Sequence, residues 1–356
     1  MRDSIEQALS VPGLIFLAWA DGKRASWVTM FVPDTFPIAL LMMVTSMICW
    51  GSWANTYKLT KGYRFELFYW DYAIGIFLIS LVLALTLGSM GSTPEAFLLN
   101  VRLADPSNIV YAMVGGVIFN VANLLLVAGI EFVGLAVAFP VAIGIALVVG
   151  VVLSYAVQQT GDPWLLGLGV FLAIVAVIMN GQAYARLSAQ RQVVSRKGLM
   201  VCLVSGLLMG LFAPLVTRAL TVGDSLGPYS IGVFFTLGAL LSCFIVNVYF
   251  MRHPIAGQPV TFGDYVSARP VEHGLGILGG AVWGIGTVFN FVAASLVGVA
   301  IAYAIGQAAP MVAAAWGVFV WNEFRGAPRS SWLYLGAMFI LYLLAIVVIS
   351  RAYLSG

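Results

Sequence analysis

Charge is what this chain has least of. Of its 356 residues, 17 are Lys or Arg and 14 are Asp or Glu, 9% in all, against about 25% in an ordinary soluble domain. A water-soluble globule so poor in charge would expose large apolar patches and precipitate. That excludes a soluble enzyme and a disordered chain. The net charge of +3 is too small for a nucleic-acid partner, which is held by many phosphate contacts. Cysteine and histidine are scarce too, at 3 and 2. Cys49, Cys202 and Cys243 all lie in apolar stretches and read as small buried hydrophobes. His253 and His273 fall in one polar loop without metal-ligand spacing. Nucleophile motif, phosphate loop, zinc-ligand set and dinucleotide fingerprint are all missing. The chain therefore reads as no enzyme, with no metal site and no cofactor.

What the chain does have is apolar length. Hydrophobic residues make up 62% and the mean hydropathy is +1.01. A membrane helix needs about 20 mostly apolar residues, and ten such runs can be read. They are Phe36–Ala54, Glu66–Leu87, Ile109–Ile130, Gly134–Val157, Trp164–Tyr184, Gly198–Leu220, Pro228–Met251, Gly274–Leu296, Val299–Asn322 and Trp332–Val348. In hydrocarbon the backbone must satisfy its own hydrogen bonds, so these runs are expected to be helices. The fold class expected is an all-α integral membrane protein. Residues 1–35 form an extension of a different kind. Val11–Ala20 is too short to span, Pro12 interrupts it, and Asp3 and Glu6 spoil a signal-peptide start despite Ala18-Trp19-Ala20. A signal peptide, an interfacial helix and a loose extension stay open there, and Met30 is a second candidate start.

The two halves repeat. Gly115-Gly116-Val117 recurs 164 residues later as Gly279-Gly280-Ala281, Val133-Gly134 as Val297-Gly298, and Ala136–Phe139 as Ala300–Tyr303. Gly161-Asp162-Pro163 returns near the same offset as Gly326-Ala327-Pro328. The units would be 36–186 and 198–356, joined by a cytoplasmic linker at 187–197. Each holds five spans, an odd number, so the copies lie in opposite orientations. A five-plus-five inverted repeat is a common architecture of secondary transporters.

Several segments look familiar: Cys49–Asn55 (CWGSWAN), Arg64–Tyr72 (RFELFYWDY), Gly115–Asn120 (GGVIFN) and Trp316–Phe324 (WGVFVWNEF). Together they resemble the drug/metabolite transporter superfamily, in its branch of glucose/ribose porters, rhamnose transporters and ureide permeases. The resemblance covers about Phe36 to Tyr353. It implies a substrate cavity between the halves, lined mainly by helices 1, 3, 4, 6, 8 and 9. It also implies small polar cargo such as sugars, ureides, nucleobases or amino acids, and commonly proton or sodium coupling in uptake relatives.

Polar groups inside a membrane are costly, so each is a functional candidate with a structural rival. Asp71, about 7.5 Å deeper than Glu66 at the helical rise, could bind and release a proton as the cavity alternates. Its rival reading is an interfacial carboxylate paired with Lys58, Lys61 or Arg64. Glu66 is a second coupling candidate, with an interfacial charge as its rival. Asn120 and Asn123 share a helix face, as do Trp283, Thr287 and Asn290. At the repeat offset Asn123 corresponds to Thr287 and Phe119 to Trp283. Amides offer paired hydrogen bonds and tryptophan an apolar face, which suits a sugar or a flat ureide or nucleobase. The rival for the amides is polar glue between helices. Trp50, Tyr303 and Gln307 complete the candidate substrate set. The small-residue stripes Ala142, Ala146, Gly150 and Ala309, Ala313, Gly317 read as close-packing faces.

The expected function is a secondary transporter of a small polar metabolite, by alternating access and with cation-coupled uptake. Its alternatives are an exporter of amino acids or drugs and, more distantly, a membrane-embedded enzyme. Its partners would be that substrate and the lipid bilayer, with oligomeric state unassigned. With Lys and Arg counted loop by loop, the 1–2, 5–6, 7–8 and 9–10 loops hold most of the positive charge, including Lys58, Lys61, Arg64, Arg186, Arg196 and Lys197. By the positive-inside rule these loops face the cytoplasm of a cell whose inner membrane holds the protein, and both termini face outside. A C-terminal topology reporter is therefore expected to be active only on the outer side; activity confined to the cytoplasm would reverse the orientation.

Overall fold

The computed structural model describes residues 30–90, 96–187, 195–254 and 257–356. The readings above for residues 1–29, and for most of the linker at 187–197, concern residues outside that set. Among the described residues ten helices are long and apolar enough to cross a membrane: α1 (Phe36–Lys58), α2 (Phe65–Ser89), α3 (Pro106–Val133), α4 (Val137–Val157), α5 (Pro163–Ala185), α6 (Arg196–Thr221), α7 (Pro228–Arg252), α8 (Pro270–Val297), α9 (Val299–Phe319) and α10 (Arg329–Ser355). The described residues contain no strand. The order and number of spans match the apolar runs, and the ends move by a few residues.

Local chemistry sets the helix starts. Proline opens α3, α5, α7 and α8 at Pro106, Pro163, Pro228 and Pro270, where its missing N–H costs nothing. Asp105 accepts from the Ser107 N–H at 2.8 Å and Asp162 from the Leu165 N–H at 2.8 Å, satisfying donors that a helix start leaves free. Because α8 begins at Pro270, it takes in His273. That histidine therefore stands in the first turn of a helix rather than in a polar loop.

Four of the described spans are interrupted: α2 changes at Thr86 from α-helix (Phe65–Leu85) to a single 3-10 turn (Leu87–Ser89), and three others break. α1 slips at Trp53, between Phe36–Ser52 and Ala54–Lys58. α7 is broken between Pro228–Cys243 and Val246–Arg252. α9 is two helices, Val299–Gly306 and Ala309–Phe319, with Gln307 and Ala308 between them. The cause in α9 is Pro310, which offers no N–H to the Gly306 carbonyl and whose ring crowds it. Expected as one run to Asn322, α9 ends at Phe319, and Asn322 takes a left-handed φ of 53°. Pro140 and Pro214 are accommodated inside α4 and α6.

The packing pairs recur in the two halves. α2 lies on α8 and α3 on α7; α1 lies on α8 and α6 on α3; α4 lies on α6 and α1 on α9; α5 and α10 pack together. The match extends to single atoms. A Cβ on Gly280 would overlap the Tyr72 carbonyl oxygen, and one on Gly75 that of Ile277. A Cβ on Gly116 would overlap the Phe235 carbonyl oxygen, and one on Gly238 that of Met113. The glycines and carbonyls of the α2–α8 crossing thus have counterparts in the α3–α7 crossing, at an offset of 163 from α2 to α7 and 164 from α3 to α8. Lipid gives helices no hydrophobic reason to associate, so close backbone approach over small residues supplies the attraction. The links after α3 and α8 also correspond: Gly134 and Gly298 have φ of 76° and 83°, a conformation natural to glycine.

The two halves of α9 differ in burial. Every residue of Val299–Gly306 is buried. Gly298, just before it, meets Thr160 at the end of α4, and Ile301 lies over Gly161. This plugs the membrane side that carries the C-terminal end of α10, whose Ala352 carbonyl accepts from the Asp162 N–H. Ala309–Phe319, leading to the other side, is less buried. Substituting leucine at Gly116 or Gly280 is expected to cost at least the 1–3 kcal/mol (about) of an overpacked core. In thermal melts of detergent-solubilised protein both variants should melt earlier, whereas Gly274→Leu, where a Cβ meets nothing within 4 Å, should not.

Candidate substrate cavity and a buried carboxylate cluster

A cavity of about 190 Å³ lies in the centre of the bundle. It is smaller than the 300–1,000 Å³ (about) of drug-sized sites, a size for a small metabolite. Its walls come from α1 (Trp50, Gly51, Trp53, Ala54), α3 (Phe119, Asn123, Leu126), α4 (Phe139, Ile143), α6 (Met209, Phe212), α8 (Trp283) and α9 (Gln307, Ala309, Pro310, Ala313). It runs from mid-membrane toward the α1–α2, α3–α4 and α9–α10 loops, away from the buried Val299–Gly306 plug.

Three aromatic rings dominate it. Trp283 stacks on Phe119 with centroids 4.6 Å apart and planes at 26°, and faces Trp50 at 6.1 Å and 19°. The Trp50 indole N–H donates to Thr287 Oγ1 at 3.0 Å, and the Thr287 hydroxyl donates to the Trp283 carbonyl at 3.1 Å. Thr287 thereby fixes a ring of α1 against a ring of α8. Gly306 lies under the Trp50 ring, where a Cβ would meet Cζ3 at 2.6 Å, so the end of the first α9 segment leaves that indole its space.

Two amides face this aromatic wall. Asn123 donates from Nδ2 to the Tyr69 hydroxyl at 3.1 Å, and its Oδ1 takes no hydrogen bond among the described residues. Gln307, in the break of α9, makes no side-chain hydrogen bond among the described residues; its backbone N–H caps the first segment on the Tyr303 carbonyl at 3.0 Å. A buried or half-buried amide without a partner is costly, and a polar ligand in the cavity would supply one. The proline break is what frees position 307 from a regular helix.

Of the eight candidate substrate residues, Trp50, Asn123, Trp283 and Gln307 line the cavity. The other four tie helices together. Asn120 donates to Ser242 Oγ of α7 at 2.8 Å. Asn290 donates to the Ala302 carbonyl at 2.9 Å. Thr287 orients Trp50. Tyr303 is buried and donates to the Met209 carbonyl at 3.3 Å. Asn120 and Asn123, on one face by spacing, thus reach different neighbours. Trp53, Phe119, Met209 and Phe212 were not singled out as cavity residues; only the repeat, which pairs Phe119 with Trp283, carried a signal for one of them.

A second polar centre lies at the α2–α8 interface. Asp71 is 2% exposed, and none of Lys58, Lys61 and Arg64 is its partner. Instead three donors converge on it: the Tyr63 hydroxyl on Oδ2 at 3.0 Å, the Tyr265 hydroxyl on Oδ1 at 2.7 Å, and His273 Nδ1 at 2.9 and 3.0 Å from the two oxygens. Gly276 makes the room, since a Cβ there would meet the Asp71 Cβ at 2.4 Å. His273 precedes Trp283 by ten residues on α8, about 15 Å at the helical rise, so this centre stands apart from the cavity. Glu66 forms an ion pair with Arg64, Nη2 to Oε1 at 2.9 Å and Nε to Oε2 at 3.2 Å, and lines a small separate pocket with Tyr57 and Glu131.

At the same end of the bundle α1 and α9 are stitched together. Trp316 Nε1 donates to Ser52 Oγ at 2.9 Å and Trp321 Nε1 to Asn55 Oδ1 at 2.6 Å. Lys58 pairs with Glu323, which also accepts from the Tyr184 hydroxyl at 3.2 Å.

Comparison with known proteins fits this picture of a helical bundle around a small cavity. The ureide permease family model matches residues 68–197 and 186–352, most of the chain. The chain belongs to the ureide permease family. Ureide permease 1 of Arabidopsis thaliana is 23% identical to it, with 87% of this chain and 96% of the relative covered. Ureide permeases 5 and 2 of the same plant are each 24% identical, covering 86% and 90% of this chain and 92% and 98% of their own lengths. A solved structure, titled only as the crystal structure of a protein, shares the fold with a TM-score of 0.57 and 16% identity over 87% of this chain and 95% of its own. This member of the family is thus a multi-pass membrane transporter and no enzyme. The family match does not extend to the sugar-porter branches also expected from the sequence.

The geometry separates tie residues from cavity residues. Asn120→Leu, which breaks the bond to Ser242, should lower stability by about 0.6–1.7 kcal/mol. Gln307→Leu should leave the melting temperature in place and weaken substrate binding roughly fivefold, the worth of one hydrogen bond. Melting curves beside binding titrations check both.

Proposed function

We propose that this permease is a secondary carrier that takes up a small, flat, polar metabolite of the ureide or nucleobase type by alternating access, with a coupled proton or sodium ion. The observation that carries the reading is the aromatic pair of Trp283 and Trp50 opposite the unpartnered groups of Asn123 and Gln307. Stacking surfaces hold a planar ring. Amides match the alternating N–H and C=O groups of a ureide or an imide, two hydrogen bonds at a time. The names of the plant relatives support the same substrate class.

The two five-span units, 36–186 and 198–356, act in this reading as an inverted repeat whose halves rock around the cavity. The buried plug Val299–Gly306 closes the outer side, and the α1–α9 stitching belongs to the half that moves at the inner mouth. Asp71 remains the carboxylate that answers to the coupling ion, while Glu66, already paired with Arg64, stabilises the α2 start. The membrane is the inner membrane, with both termini outside.

Counterflow in proteoliposomes tests the proposal. Vesicles preloaded with allantoin or uracil are expected to accelerate entry of the labelled compound, and Trp283→Ala should abolish that acceleration. Exchange with glucose alone would move the substrate class to sugars, and exchange with none of these compounds under any ion gradient would sink the carrier reading.

A further inference from the structure

The Asp71 cluster departs from the repeat on which the rest of the bundle is built. Superposing the halves by the offsets that relate the glycine crossings, 163 from α2 to α7 and 164 from α3 to α8, puts Leu226 at the place of Tyr63, Phe234 at that of Asp71, Val101 at that of Tyr265 and Ile109 at that of His273. Tyr265 and Val101 even share a local setting, short helices at Phe262–Val266 and Phe97–Leu103 that precede α8 and α3. The apolar version closes its half of the bundle without a charge. The polar version is therefore no requirement of the packing, and a buried carboxylate held only for stability is a poor choice, because desolvation offsets what pairing gains.

We propose that Asp71 and His273 form a proton-binding site, separate from the substrate cavity, that latches the mouth of the carrier on the side of the α1–α2 loop. The inference rests on the carrier reading above and deepens it, by assigning the proton to the imidazole and leaving Asp71 an anion. Asp71 accepts from the Tyr63 and Tyr265 hydroxyls and faces His273 Nδ1, a setting that suits an anion. His273 is partly exposed, with 24% of its side chain accessible, as is Tyr265, whereas Tyr63 and Asp71 are buried. Its Nδ1–H stays on Asp71, and Nε2 gains a proton from water on that side to give imidazolium; no other bond changes. Imidazole is the side chain whose charge responds in the physiological range.

The other titratable groups around it are accounted for. Tyr63 from the α1–α2 linker and Tyr265 from the short helix keep their protons, both pushed up by burial and by the Asp71 charge. Glu272, its neighbour on α8, is paired with Arg269, whose Nη2 lies 2.6 Å from Oε1. Protonation turns four separate segments, the linker, α2, the short helix and α8, into one ion-paired cluster. The linker continues from α1, whose end holds α9 through Lys58 and Glu323, so the latch acts on the helices that border the cavity mouth.

Two measurements test this. The chain has 2 histidines, so histidine-labelled protein in nanodiscs gives two imidazole signals, and His253→Gln identifies that of His273. The expected result is a His273 signal that moves with pH through Nε2 while Nδ1–H is retained. A His273 ring that stays in one protonation state, or one whose pH response is unchanged in both Asp71→Asn and Tyr265→Phe, overturns the proposal whether or not transport is ever found. The second measurement is exchange in right-side-out and inverted vesicles. The wild-type rate should change severalfold with pH on the α1–α2 loop side, and His273→Gln should flatten that dependence. A His273→Gln profile equal to wild type rejects the latch and leaves the carrier standing; Tyr265→Phe, which retains the imidazole, serves in its place if His273→Gln does not fold, and an unchanged profile there rejects the latch equally.

Discussion

Four glycines bear on everything else in this molecule. At Gly75, Gly280, Gly116 and Gly238 a helix backbone lies directly on the carbonyl of its neighbour. In lipid, van der Waals contact over small residues replaces the hydrophobic drive that joins helices in water. These crossings place α8 against α2 and α3 against α7, and so fix where the inner rows of α3 and α8 point. Phe119 and Trp283 stack at 4.6 Å because the helices that carry them are each pinned one or two turns away. The cavity follows from the crossings, and so does the Asp71 cluster, whose Gly276 extends the same close face of α8.

On this repeated frame the chemistry is placed unequally. The cluster of Tyr63, Asp71, Tyr265 and His273 occurs in one half and is apolar in the other. The proline break of α9 leaves Gln307 free in the cavity, whereas Pro140 at the corresponding helix is absorbed without a break. α1 is stitched to α9 and the loop after it by Trp316, Trp321 and Glu323, whereas the corresponding helix pair, α6 and α4, packs tightly at Gly206 and Gly210 against Ala142, Ala146 and Val149. A duplicated scaffold can thus have one side held by packing and the other by polar groups that water and protons can reach.

Buried amides in a membrane sort themselves by partner. Asn108 donates to the Val222 carbonyl at 2.9 Å and Asn247 to the Glu66 carbonyl at 2.9 Å, joining loops and helix ends as Asn120 and Asn290 join helices. Such bonds are modest, about 0.6 kcal/mol on average, and serve register more than stability. The Oδ1 atoms of Asn108, Asn180 and Asn247 also lack a partner among the described residues, so what sets Gln307 and the Oδ1 of Asn123 apart is their place, on the central cavity beside an aromatic wall.

The sequence by itself determined the class of the molecule. Too few charges for water and ten apolar runs leave only a helical membrane bundle, since the backbone must bond within each run. The repeated glycine motifs were legible because duplication preserves spacing, and with them the pairing of Phe119 with Trp283 about a shared centre. Spacing failed where two readings put a residue on the same face: Asn120 and Asn123 differ by three positions yet meet different helices, and His273 passed for a loop residue until Pro270 started the helix. Tyr63 and Tyr265 carried no signal, since a lone tyrosine near a membrane surface is ordinary. Which polar groups meet is decided by how helices cross, and the crossing is a property of backbone contacts between segments that can lie more than two hundred residues apart, as His273 does from Asp71. Periodicity along one helix contains the face a side chain occupies; only tertiary structure supplies the partner on the other side.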